Sequence, residues 1–215
     1  MNNNKDKFQI ISLCEKFLCR FCETLKGCDR EYRETVVKDL YMDIKKMMCY
    51  IQYANDRLKR GSKKRLELQV EAIHISDNLL TMLDSVCRLC KTGAKKQAAL
   101  DKELCYIHDK LKNWYASDQN AHVQYLQKQM MDVQKKFRES VDYYNRINEW
   151  CTLHPTEKNN EALEQSKSYC RAQKAAYDAL KAEYDKANGE LSKMTSIDYT
   201  LMGQVLKEIE SGKVK

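Results

Sequence analysis

The sequence predicts an all-α protein, and three observations carry that reading. The 215 residues include one proline, Pro155, and six glycines, far too few turn-formers for a β-rich chain of this length. Hydrophobic residues make up 43% and charged residues 32%, a balance that suits long amphipathic helices rather than disorder. Apolar residues recur at steps of three and four along most of the chain, which is the helical period.

The first helix carries Phe8, Ile11, Cys14, Leu18, Cys22 and Leu25 on one stripe. Gly27 follows it, and Asp29 stands where a helix N-cap belongs. The second helix carries Val37, Leu40, Ile44, Met47, Ile51, Ala54 and Leu58. Gly61 can stop it and Ser62 can cap the next helix. The third helix carries Leu66, Val70, Ile73, Leu80, Leu83, Cys87 and Cys90, and ends at Thr92-Gly93. The fourth carries Leu100, Leu104, Ile107, Leu111 and Trp114. Four amphipathic helices with short connections are expected to form an up-down four-helix bundle over residues 1–118.

Residues 119–215 are expected to form a helical coiled-coil extension, an antiparallel hairpin. Its first stripe is Val123, Leu126, Met130, Val133, Phe137, Val141, Tyr144 and Ile147. The turn falls near 152–158, where Pro155 lacks an amide hydrogen and restricts His154 before it. The second stripe runs Leu163, Ser166, Cys170, Gln173, Tyr177, Leu180, Tyr184, Ala187, Leu191 and Met194, a period of 3.5. A short separate helix is expected at Tyr199 to Ile209, giving six or seven helices in all. Apolar residues off the main stripes, Tyr41, Met48, Tyr50, Leu68, Ile75 and Leu79, point to contact with another subunit.

Charge is unevenly placed. Residues 1–118 hold 23 Lys and Arg against 17 Asp and Glu, an excess of six within a net charge of +7. The first half therefore suits a polyanion and the second half is near neutral. No apolar run approaches the roughly 20 residues of a membrane span. The N-terminus, Asn2-Asn3-Asn4-Lys5-Asp6-Lys7, leads into no clean secretory segment, so a cytoplasmic location and no membrane are expected.

The ten cysteines, in a reducing compartment, read as small apolar residues or metal ligands. Cys19-Arg20-Phe21-Cys22 and Cys87-Arg88-Leu89-Cys90 could supply four thiolates to zinc. Both pairs lie inside predicted helices, far apart in sequence, so the expected role is core packing with no metal or other cofactor. Glu71-Ala72-Ile73-His74 has the spacing used in di-iron bundles. It stands alone, since Cys105, Gln119 and Cys151 precede the other histidines, His108, His122 and His154, by three. His74 is expected to be a partly buried helix residue with a hydrogen-bond partner. Phosphate-binding glycine loops and nucleophile elbows are absent from the sequence, so no catalytic residues are expected.

The feature that points to a partner is the turn after the second helix. Arg57, Lys59, Arg60, Lys63, Lys64 and Arg65 place six cations within nine residues, opposed by Asp56 and Glu67 at the ends. Arg30, Arg33, Lys38, Lys45 and Lys46 extend positive charge along the second helix. Lys91, Lys95 and Lys96 flank the third turn, at the other end of an up-down bundle. Such residues neutralise phosphates and release counterions, giving salt-dependent binding without sequence preference. The plainer reading is a solvated, solubilising turn.

The first 118 residues resemble the small bacterial four-helix-bundle family of accessory variability proteins of diversity-generating retroelements, related to the proteins of rRNA intervening sequences. The resemblance rests on Ile51-Gln52-Tyr53-Ala54-Asn55-Asp56-Arg57 before a basic turn, on the third-helix run from Asp77 to Cys90, and on Ile107-His108-Asp109-Lys110-Leu111-Lys112-Asn113-Trp114. The high cysteine content and the extension after residue 118 depart from the family pattern. The resemblance implies a homo-pentameric ring of basic bundles, without an active site, that binds the template-repeat RNA and the reverse transcriptase and supports mutagenic cDNA synthesis. The competing reading is a helical protein–protein interaction scaffold that acts through the coiled coil and binds no nucleic acid. A metal-dependent bundle enzyme fails on motif counts.

Overall fold

The computed structural model describes the backbone of residues 3–210 and the side chains of residues 9–192. All regular elements among the described residues are helical. They are α1 (Asn3–Thr24), α2 (Arg30–Tyr32), a π-helical stretch (Arg33–Val37) that runs on into α3 (Lys38–Arg57), α4 (Lys63–Leu89), α5 (Ala94–Leu153) and α6 (Glu157–Glu210). The chain divides into two units, Met1–Gln119 and Asn120–Lys215, with the division inside α5.

The first unit is built on one apolar core shared by α1, α3, α4 and the first part of α5. Val37, Leu40, Ile44, Met47, Ile51 and Ala54 of the expected second-helix stripe are buried in it, as are Leu100, Leu104, Ile107, Leu111 and Trp114 of α5. On α1 the core face is Ile10, Cys14, Phe17, Phe21 and Leu25, while Ile11 and Leu18 flank it and Cys22 is exposed. The predicted stripe is thus turned by less than the 100° of one residue step, with Cys14 and Leu25 common to both. The turn puts the rings of Phe17 and Phe21, 6.2 Å apart, into the core in place of smaller groups. Ile75 and Leu79 are core residues, and Tyr41, Met48, Tyr50 and Leu68 pack against the same core. These six widen the intramolecular core face.

The connections have local causes. After α3, Ser62 N–H donates to Lys59 O (3.1 Å) and Gly61 takes φ 71°, a four-residue turn with its third residue in the left-handed region that favours glycine. Ser62 caps α4 by backbone geometry, its carbonyl accepting from Arg65 and Leu66, without a side-chain cap bond. Asp29 likewise caps α2 without its carboxylate. At the end of α4 the left-handed residue is Lys91 (φ 52°), before the expected Gly93. Thr92 N–H reaches Cys87 O and Lys91 N–H reaches Arg88 O, the paired bonds that close a helix C-terminus. Cys28, in the loop after α1, is disulfide-bonded to Cys90, the C-cap of α4.

No break separates the fourth expected helix from the first coiled-coil stripe: both belong to the 60-residue α5. Nor does a separate helix begin at Tyr199, because α6 continues through it. Pro155 stands between α5 and α6, Thr156 Oγ1 accepts the Asn159 N–H (3.2 Å), and Asn159 Nδ2 donates to His154 O (2.6 Å). Val123, Leu126 and Ala187 form a small core with Leu180, Tyr184 and Leu191 against it. Cys170 Sγ donates to Ser140 O (3.2 Å), and Ser140 and Ser166 are buried. Residues equally far from the Pro155 turn therefore meet, Val123 with Ala187 and Ser140 with Cys170.

Candidate nucleic-acid interface

The α3–α4 turn holds its six cations in two different environments. Arg65 is 1% exposed and Asp118 is 2% exposed. They form an ion pair through Arg65 Nε and Asp118 Oδ2. Arg65 Nη1 also donates to Ala54 O and Leu58 O, both at 3.1 Å, and its guanidinium lies 5.2 Å from the Trp114 ring centroid. Gln69 Nε2 donates to the same Asp118 oxygen (2.7 Å). Arg65 is therefore not available to phosphate, a correction to the expected basic cluster. Its charge is spent on closing the end of α3, whose last carbonyls lack helical partners. Arg60 is partly diverted too, pairing with Asp118 Oδ1 (3.2 Å) and donating to Ser117 Oγ (2.7 Å).

Five cations of the turn remain on the surface, and four of them, Arg57, Lys59, Lys63 and Lys64, are not held by Asp118. Lys64 lies 3.5 Å from Glu67, and among the described residues Arg57, Lys59 and Lys63 have no carboxylate partner. The buried Arg65–Asp118 pair thus pins a turn whose outer side is left positive.

Along the second helix, Arg30, Arg33, Lys38, Lys45 and Lys46 are all exposed. Arg30 is paired with Glu34 (2.8 Å). Lys45 lies over the Tyr41 ring (5.5 Å) and Lys46 over Tyr50 (5.7 Å), two cation–ring pairs on opposite flanks of the α3 core stripe. The π-helical stretch displaces the start of the helix. Beside it lies an open groove of about 260 Å³ with Phe21, Leu25 and Val37 at its floor. Tyr41 lines it as well, together with Lys26, Arg33 and Lys38.

The cysteine pairs are not brought together. Cys19 and Cys22 are exposed on α1, Cys87 is buried, and Cys90 is consumed by its bond to Cys28. No group of three or more His, Cys, Asp and Glu fit to hold a metal occurs among the described residues. The expectation of cysteine as a core residue describes Cys14, where burial pushes the thiol pKa up to about 12, and Cys87, also raised chiefly by burial. It does not describe Cys49 and Cys105, which are exposed. Glu71 and His74 are both exposed on α4, so His74 is not the partly buried residue expected.

One constellation has no signal in the sequence. Ser76 Oγ meets His108 Nδ1 at 2.8 Å, and His108 Nε2 lies 3.5 Å from Asp77 Oδ1. The order resembles a Ser-His-Asp set, but Ser76 is wholly buried and its hydroxyl donates to Ile73 O (2.7 Å). No substrate reaches that oxygen, and the set acts as a hydrogen-bonded link from α4 to α5. No helix among the described residues is long and apolar enough to cross a membrane. No family model, curated protein or solved structure matches this chain.

Proposed function

We propose that this chain is a non-catalytic helical subunit that binds RNA through the phosphate backbone. In this reading the first unit is an up-down four-helix bundle and the second an antiparallel coiled-coil hairpin. The role is the one the family resemblance implies: a homo-pentameric accessory protein of a diversity-generating retroelement that holds template RNA near the reverse transcriptase. The observation that carries the reading is the α3–α4 turn. Arg57, Lys59, Lys63 and Lys64 are exposed on a turn fixed from beneath by a buried ion pair. A fixed array of cations meets phosphates without first being ordered, and an oligomer multiplies its field.

The test is the salt dependence of RNA binding. Replacing Arg57, Lys59, Lys63 and Lys64 by Gln should flatten the slope of log affinity against log salt by about 3. Affinity should fall alike for unrelated sequences, since phosphate contacts hold no base information. Unchanged affinity in the folded variant would overturn the reading. The scaffold alternative would then stand on the second unit, where Trp150 and Leu153 (74% exposed) flank the Pro155 turn.

A further inference from the structure

We propose that the groove between α1 and the π-helical stretch is a pocket for an unstacked base of single-stranded RNA, with the flanking phosphates on Lys26, Arg33 and Lys38. The proposal rests on the RNA-binding reading and adds to it the form of RNA that is recognised. The groove joins two kinds of surface that a nucleotide also joins. Its floor, Phe21, Leu25 and Val37, is apolar, and Tyr41 adds an aromatic ring. Three cations share the lining, and none of them has a carboxylate partner among the described residues. Lys45, over the Tyr41 ring, brings a fourth positive charge to the same edge.

Size and setting agree with a single base. The groove's 260 Å³ falls below the roughly 300 Å³ at which small-molecule clefts begin, so it suits one base rather than a whole dinucleotide. It is open to solvent, so a strand can enter it without threading. A paired base cannot enter, because its faces are covered in the stack. Aromatic side chains hold splayed bases by stacking, while phosphate contacts on the rim supply charge neutralisation without reading sequence. The π-helical stretch forms one wall of the space. The stretch contributes its first and last residues, Arg33 and Val37, to the lining beside Phe21 and Leu25.

The experiment uses the full chain and a ten-nucleotide single-stranded RNA with a central 2-aminopurine, alongside a duplex of the same sequence. The wild-type chain should bind the single strand about 5- to 100-fold more tightly than the duplex and quench the fluorescent base. Tyr41→Leu keeps the apolar bulk packed on the core, and should remove the quench and most of that preference while salt-dependent binding through the α3–α4 turn persists. Arg33→Gln with Lys38→Gln, which alters no packed group, should lower the single-strand salt slope by about 1.4 with helix content unchanged. Equal binding of both RNAs with an unquenched base would overturn the groove assignment and leave the RNA reading standing. Binding of neither RNA would overturn both. Capture of the wild-type chain, but not Tyr41→Leu, by anionic phospholipid vesicles in place of RNA would assign the groove to a lipid and overturn the proposal.

Discussion

Removing the Asp118 carboxylate should unfold the first unit far more easily than removing every exposed charge of the neighbouring turn. In Asp118→Ala, Arg65 keeps its bonds to Ala54 O and Leu58 O but loses its counterion at a site 1% exposed to water. Breaking one side of a buried pair costs about 3–5 kcal/mol. The two remaining carbonyls place this case near the lower figure, about 3 kcal/mol. Arg60 also loses its partner, but its side chain is 44% exposed and water takes over. An unfolding entropy of about 2.1 cal/mol/K per residue across Met1–Gln119 gives about 0.25 kcal/mol/K, so Tm should fall by about 12 °C. Fluorescence of Trp114, which packs against Arg65, reports on this unit in a Trp150→Phe background. The double variant Arg65→Met, Asp118→Leu should recover part of the loss, because no charge is then left buried while Ala54 O, Leu58 O and Gln69 Nε2 lose their partners. A cost under about 1 kcal/mol for Asp118→Ala, or a double variant as unstable as the single one, would refute the account.

Two further outcomes follow from the same unit. The Cys28–Cys90 bond joins residues 62 apart, so Cys90→Ser or full reduction should cost about 4 kcal/mol by chain entropy, read as a lower urea midpoint. An identical midpoint with and without reductant would show the thiols unbonded in solution. For His108, burial first and the Lys112 charge second hold the imidazole below its ordinary 6.5, against the pull of Asp77 and Asp109. The unfolded chain takes up a proton there before the folded chain does, so this contribution is whole above about 6.5 and is lost as pH falls toward the depressed folded value. His108→Gln should flatten the urea-midpoint profile between about pH 7 and 5; a wild-type profile already flat there would contradict the assignment.

The sequence by itself determined the class of the fold and much of its core. Periodicity was enough on α3, where Val37, Leu40, Ile44, Met47, Ile51 and Ala54 admit only one apolar face. It was not enough on α1, where Ile10, Phe17 and Phe21 compete with Ile11, Leu18 and Cys22 for the core. With Cys14 common to both, each set has steps of three and four, and only packing against α3 chooses the larger rings. It was also silent on continuity, because Trp114 to Val123 holds no proline or glycine and yet no signal that one helix should span two units. The absence of strand among described residues follows from composition; the lengths of α5 and α6 do not.

At the candidate site the division is sharper. Composition put six cations into one turn, and any charge count treats Arg65 and Lys64 alike. Tertiary structure separates them: Arg65 meets Asp118 across 53 positions of sequence, and Lys64 stays in water. The Cys28–Cys90 bond, the Ser76–His108 contact and the groove beside the π-helical stretch are of the same kind. Each joins residues from different elements or the segments that connect them. A sequence states through its period which residues share a face of one helix, because that spacing is local. Which residue on one helix faces which on another depends on how the cores interlock, and that is decided only when the chain has folded.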